Sequence, residues 1–219
     1  MLDAILFDLD GTLTNTDPLH FQTWQEALAT VDMTIDRAFY DRHISGRVNP
    51  EIVKDILPQL PFEAGLAIAA DKERRFREMG AKLQRLAGLA EILAWTAQNE
   101  LKQAVVTNAP RQNAEFMLEA LELQTTFAIV ILAEDVVRGK PNPAPYLEAL
   151  TRLEIAPQNA IAFEDSPSGV KSASNAGIYT IGITSTHDNA KLIESGAAWT
   201  IADFRESRLW DYLESLPCS

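Results

Sequence analysis

Cysteine is almost missing from this chain. Of its 219 residues only Cys218 is one, so no disulfide can close within it, and a reducing compartment fits. Long apolar runs are missing as well. No stretch approaches the ~20 apolar residues of a membrane-spanning helix. The first residues carry Asp3 where a secretory leader would have a basic segment, so no signal peptide is expected. Positive charge is scarce: 19 lysines and arginines stand against 31 aspartates and glutamates, a formal net charge of -12. That balance disfavours non-specific binding to nucleic acid or to anionic membranes. It also means that an anionic substrate needs a local lysine, arginine or metal ion, because the overall field repels it. Internal repeats and low-complexity tracts are absent, and no convincing strand occurs between Leu13 and Leu101. The expectation is a cytoplasmic, soluble, monomeric protein with neither a nucleic-acid nor a membrane partner.

What remains is an ordinary globular composition, 47% hydrophobic and 23% charged, in a chain long enough for a sizeable core. Its organising stretch is residues 4–14. Ala4-Ile5-Leu6-Phe7 is a short apolar run that ends in Asp8, Asp10, Gly11 and Thr12, the pattern of a buried strand entering a turn. Two carboxylates at such a strand end are costly to desolvate unless compensated. A hard divalent cation is the natural compensation. An exposed turn with two unrelated acids is the alternative for this stretch alone.

Asp17 before Pro18 predicts a helix start with Asp17 as N-cap. Helices are expected at 35–43, 50–57 and about 63–79. From Gly88 onward helices and short apolar runs alternate: strands are expected at 103–107, 127–132, 160–163, 179–183 and near 198–201. Helices are expected at 89–99, 111–122, 144–153, 167–176, near 188–195 and 206–215. This alternation predicts βαβ units with right-handed crossovers and a parallel sheet. The predicted architecture is an α/β core, residues 1–14 and 86–219, with a helical cap at 15–85 inserted after the first strand.

In such sheets ligands bind beyond the carboxyl ends of the strands. There the sequence sets Asp8 and Asp10, then Thr107-Asn108, then Lys140-Pro141, then Glu164-Asp165-Ser166. Singly each has a plain explanation. Thr107 suits a strand end, Lys140 a loop, and Glu164-Asp165-Ser166 a helix N-terminus, where acids are favourable in any case. Together, at four strand ends, they are far harder to obtain by chance.

This set resembles the four motifs of the haloacid dehalogenase superfamily of aspartyl phosphotransferases. The helical insert is similar to the cap of its subfamily I, β-phosphoglucomutase-like and sugar-phosphatase branch. The resemblance covers essentially the whole chain and implies a Rossmann-like, doubly wound core. It implies Asp8 as nucleophile, Asp10 as the acid and base at the leaving oxygen, and Mg²⁺ as cofactor. The ion would be held by Asp8, the Asp10 carbonyl and Asp165, with Glu164 supporting from behind. Thr107 and the Asn108 amide are expected to hydrogen-bond phosphate oxygens, and Lys140 to supply fixed positive charge.

In the insert, Thr16, His20 and Trp24 fall at i, i+4 and i+8 on one helix face. That face is either a buried seam or one that closes over the catalytic edge with His20 near Asp10. In the mutase-like branch a cap lysine partners this histidine, and Lys72 is the best match. A solvated charge is the other reading of Lys72. One departure concerns Ser45-Gly46-Arg47-Val48-Asn49-Pro50. The mutases carry Gly-x-Ser-Arg there, with the arginine gripping a second phosphate. Here Asn49 takes that place and Arg47 directly follows the glycine, which weakens the mutase case, although Arg47 can still contact a substrate. Specificity is expected around Trp24, Arg47, Asn49 and Lys72. The expected activity is an Mg²⁺-dependent phosphatase of a small phosphate ester, a sugar or polyol phosphate, with a β-phosphoglucomutase-type mutase as the alternative. A catalytically silent protein on the same fold is a third reading, disfavoured by the joint presence of Asp8, Asp10, Thr107, Lys140 and Asp165.

Overall fold

The structure, a computed structural model, describes residues 1–79 and 83–217. Positions 80–82 of the insert and Cys218 lie outside the described residues. The chain divides into two compact units, Met1–Asn15 with Gln84–Ser219, and Thr16–Leu83. No helix among the described residues is long and apolar enough to cross a membrane.

The larger unit is built on a six-stranded parallel sheet in the order β3-β2-β1-β4-β5-β6. Its strands are β1 (Ala4–Phe7), β2 (Lys102–Thr107), β3 (Ile129–Leu132), β4 (Ala160–Glu164), β5 (Tyr179–Ile183) and β6 (Trp199–Ile201). The doubly wound α/β core expected from the alternation is therefore present. β1 is fully buried on both faces, which is why all four of its residues are apolar. Ala4 and Leu6 join a core with Ala104, Val106, Tyr146 and Ala162 on one face. On the other, Phe7 stacks on Phe163 at 5.6 Å and meets the edges of Phe127 and Phe204. β3 starts two residues later than expected, at Ile129, and Phe127 lies outside the ladder with its ring against Phe7.

Helices α5 (Leu89–Gln98), α6 (Arg111–Ala120), α7 (Ala144–Leu153), α8 (Pro167–Asn175), α9 (Asn189–Glu194) and α10 (Ser207–Glu214) complete this unit. The strand order reverses between β1 and β4. The first pair of chain directions on either side of that point, β1 to β2 and β4 to β5, leave a crevice at their carboxyl ends. Register sets Phe7 level with both Val105 and Phe163, so the next residues, Asp8, Val106 and Glu164, lie side by side at that edge.

The smaller unit holds α1 (Asp17–Ala29), α2 (Arg37–His43), α3 (Asn49–Ile56) and α4 (Phe62–Glu78). Trp24, Leu28, Tyr40, Ile52, Val53 and Ala69 form its core. The N-cap of α1 is Thr16, one residue before the expected Asp17, since the Thr16 carbonyl accepts from the Leu19 and His20 amides. Asp17 instead sits in the first turn and pairs with Arg37 at 2.5 Å. Gly65 of α4 is set so close to α3 that a Cβ there would lie 2.3 Å from Val53 Cγ1.

Candidate active site

Four strand ends supply the polar residues of the larger unit's crevice, and Lys140 ties three of them together. Its ammonium donates to Asp8 Oδ1 at 2.6 Å, to the Val106 carbonyl at 2.7 Å and to Glu164 Oε1 at 2.5 Å. These are groups from the ends of β1, β2 and β4. The lysine reaches them because its own backbone is gripped: Asn108 Oδ1 accepts from the Lys140 amide at 3.0 Å, and Asn108 Nδ2 donates to the Lys140 carbonyl at 3.1 Å. The Lys140-Pro141 peptide is cis. Next to it, Gly139 leaves room for Asn108, whose Oδ1 would lie 2.7 Å from any Cβ at that position.

The Glu164 carboxylate is completely buried. Its Oε1 also accepts from Tyr146 Oη at 2.7 Å, and the Tyr146 ring lies under the Lys140 ammonium at 5.3 Å. Among the described residues its Oε2 has no hydrogen-bond partner. Close approach by α8 is possible only because residue 169 is glycine; a Cβ there would fall 1.8 Å from Oε2. Ser166 caps α8 by accepting from the Gly169 amide at 3.1 Å. That leaves Asp165, one residue earlier, to face the crevice.

Asp8, Glu164 and Asp165 can each offer a carboxylate oxygen within 4.8 Å of one another, all three buried. Fully ionised they carry three negative charges against the single positive charge of Lys140. The electrostatics reflect this crowding. Burial, opposed by Lys140 and reinforced by Glu164 and Asp10, pushes the Asp8 carboxyl up to about 8 from its ordinary 3.8. Burial, then Asp8 and Glu164, likewise hold Asp165 well above the usual carboxylate range. Burial works to lower Lys140, but Asp8 and Glu164 outweigh it and raise the ammonium above its ordinary value, so the lysine stays charged. An all-oxygen donor set with an excess of two negative charges and an unpartnered carboxylate oxygen suits a hard divalent cation. These residues fit such an ion.

Asp10 is partly buried in the turn that follows β1, where it bridges to Thr14. Gly11, at φ +78°, makes the turn and permits the approach of Asp165, whose Oδ2 would lie 2.0 Å from a Cβ at position 11. Thr107 Oγ1 accepts from the Ala109 amide at 3.0 Å.

In the smaller unit the structure brings together His20, Trp24 and Lys72. Lys72 is almost fully buried, which removes the solvated-charge reading. Its ammonium lies 2.7 Å from His20 Nδ1, donates to both Glu73 oxygens and sits 5.6 Å from the Trp24 and Phe76 rings. The His20 ring stacks on Phe76 at 4.2 Å. Asn49 donates to Glu73 Oε1 at 2.8 Å. Arg47 is held elsewhere, donating to Asp55 Oδ2 at 2.7 Å and to the His43 carbonyl at 2.7 Å.

Sequence reasoning missed Tyr146, Glu73, Ser185 and Thr186. Ser185 and Thr186 follow β5, and a hydroxyl run at the carboxyl end of a core strand was a usable signal. Tyr146 lies among the apolar positions of α7 and gave none.

Comparison with known proteins is consistent along the chain. The family model for haloacid dehalogenase-like hydrolases matches residues 5–183. The chain is 31% identical over 203 residues to the phosphorylated carbohydrates phosphatase of Thermotoga maritima, covering 90% of this chain and 92% of that one. It is 32% identical over 215 residues to the validoxylamine A 7'-phosphate phosphatase of Streptomyces hygroscopicus subsp. limoneus, covering 97% and 99%. Among solved structures it resembles CbbY from Rhodobacter sphaeroides in complex with phosphate. There the TM-score is 0.82 at 28% identity, with 94% of this chain and 96% of that one covered.

Proposed function

Since the chain belongs to the haloacid dehalogenase-like hydrolases, we propose that it is an Mg²⁺-dependent phosphatase of a small sugar or polyol phosphate, acting through an aspartyl-phosphate. The observation that carries this reading is the convergence of Asp8, Lys140, Glu164 and Asp165 on one crevice. Phosphate monoesters hydrolyse so slowly that enzymes acting on them reach accelerations of up to ~10²¹. Such a gain requires a nucleophile, neutralised charge and a proton donor in one place. When bound, Mg²⁺ supplies charge neutralisation at the transferring phosphoryl group.

The chain's own residues divide the remaining work. An Asp8 carboxylate oxygen attacks phosphorus as the ester oxygen departs, and Asp10 gives that oxygen its proton. Asp10, now ionised, takes a proton from water as that water attacks the aspartyl-phosphate, which releases inorganic phosphate and restores both acids. Lys140 fixes the Asp8 carboxylate and carries positive charge to an otherwise acidic chain. The Thr107 hydroxyl accepts from Ala109 and so keeps its proton for a phosphate oxygen. Asn108 acts through Lys140, whose backbone it holds.

The insert supports a monophosphate substrate. Arg47 is committed to Asp55, and Asn49 to Glu73, so the segment aligned with the mutase phosphate grip has its polar groups engaged within the insert. The two named phosphatases among the relatives point the same way. The test is release of inorganic phosphate from a panel of sugar and polyol phosphates with Mg²⁺. Steady release is expected, with Asp8→Asn slowing it at least about a thousand-fold, as loss of a nucleophile does. Isomerisation that depends on a trace of sugar bisphosphate, with almost no free phosphate, would identify a mutase instead. Equal rates for Asp8→Asn and the native protein would remove the aspartyl-phosphate altogether.

A further inference from the structure

The run Thr184-Ser185-Thr186-His187-Asp188, which follows β5, has no part in the chemistry above, yet it touches the crevice twice. Ser185 Oγ donates to the Gly11 carbonyl at 2.5 Å, pinning the turn that carries Asp10. Thr186 Oγ1 bonds Asp165 Oδ2 and lies 3.1 Å from the Asp165 carbonyl. His187 Nδ1 lies 3.0 Å from the same hydroxyl. A hydroxyl has one proton. If Thr186 gives it to the Asp165 carboxylate, the His187 ring supplies the N–H that the Thr186 oxygen accepts.

We propose that Thr186 is a positioning residue for the cation site, holding Asp165 in the orientation that brings it within reach of Asp8 and Glu164. This rests on the reading of Asp8 and Asp165 as ligands of the cation, with Glu164 supporting them from behind. Three features converge on it. Asp165 is buried beside Asp8 and Glu164, so a fixed partner decides which way its oxygens point. Gly11 closes off one side, since Asp165 Oδ2 occupies the space where a Cβ would sit. Thr186 supplies a hydrogen bond to that same oxygen. Ser185 ties the Gly11 backbone to the same loop, so β5 braces both the first and the fourth strand ends. Partners of this kind, one bond removed from a metal, typically alter affinity by about 10- to 100-fold when removed.

The test is titration of Mg²⁺ into EDTA-stripped protein, followed by calorimetry and by thermal unfolding, so that no turnover is required. Thr186→Val keeps the shape and loses the donor; Thr186→Ser keeps the donor. The expected result is Mg²⁺ binding weakened about ten-fold or more in Thr186→Val and within about three-fold of native in Thr186→Ser. A merely structural role would lower the unfolding temperature of the stripped protein and leave the Mg²⁺ constant untouched, and that result overturns the proposal. If valine prevents folding, Thr186→Ala read against Thr186→Ser gives the same comparison. Asp165→Asn is the control for the ligand itself. Native protein that takes up no Mg²⁺ would defeat the cation reading; native binding with an unchanged Thr186→Val defeats only the role of Thr186.

Discussion

A lysine buried against two carboxylates and a carbonyl is committed to its charge. Lys140 is about as buried as Asp8 beside it, and their 2.6 Å contact spans 132 positions of sequence. Removing one partner of a buried ion pair costs about 3–5 kcal/mol, because the other charge is left uncompensated. Above about pH 8, where Asp8 is ionised, Lys140→Met is therefore expected to lower the unfolding free energy of the metal-free protein by that amount, read by urea denaturation in EDTA. It should also abolish phosphate release. Unchanged stability would mean that Asp8 and Glu164 are not held by this lysine. Tyr146→Phe removes one donor to the Glu164 carboxylate and should cost less, about 1.5–3 kcal/mol, in the same assay. Asp8 and Lys140 were legible in the sequence because each stands at the end of a core strand or just beyond one. The Thr186 to Asp165 bond was not, since a threonine after a strand has no spacing that announces its partner.

Packing of α3 against α4 turns on one missing side chain. Gly65 sits where a Cβ would meet Val53 Cγ1 at 2.3 Å, and valine, stiff at χ1, cannot easily move aside. Overpacking of this kind costs about 1–3 kcal/mol, while replacing a mid-helix glycine with alanine returns up to about 1 kcal/mol of helix propensity. Gly65→Ala is expected to destabilise the insert by a net amount on the order of 1 kcal/mol. Val53→Ala added to it should recover part of the loss, a non-additivity that a double-mutant cycle on thermal unfolding would detect. If the two substitutions simply add, the helices are not in this contact. Apolar periodicity placed both helices within a residue or so of their observed ends. It did not place the pairing between them, Asn49 with Glu73 at 24 positions apart, nor that of Arg47, in the turn before α3, with Asp55 eight positions on; such partners follow from how the chain packs.

For the whole molecule, the crowding of acids sets a dependence on pH and metal together. Asp8 has its folded value raised from 3.8 to about 8, and Asp165 moves in the same direction. A group raised in this way favours the fold fully below its unfolded value, and that contribution is lost as pH climbs towards the folded one. Metal-stripped protein should therefore lose stability from these acids between about pH 4 and pH 8. A bound cation holds them ionised and binding releases protons. The rise in unfolding temperature produced by Mg²⁺ is thus expected to be larger at pH 8 than at pH 6. The same rise at both pH values would show that these acids do not hold the ion. At this scale the six strands of the doubly wound sheet were legible, though not their order, because strand and helix periods alternate cleanly after Gly88. The aromatic layer of Phe7, Phe127, Phe163 and Phe204 was not, since ring contacts join residues from one end of the chain to the other.

The position of β1 has a further consequence, for the order in which the chain is made. It is synthesised before the other five strands of the sheet, yet it lies in the middle, between β2 at Lys102–Thr107 and β4 at Ala160–Glu164. Its neighbours emerge from the ribosome roughly a hundred and more residues later, at about 5–20 residues per second. Meanwhile Thr16–Leu83 is continuous in sequence and contains its own core. The insert is therefore expected to fold first, while the apolar Ala4–Phe7 waits unpaired. Nascent chains stalled near residue 125, with β2 still inside the exit tunnel, should show residues 16–79 protected from protease and residues 1–14 still open to it. Asp8 and Asp10 then enter the crevice only when the Glu164-Asp165 pair arrives to complete it.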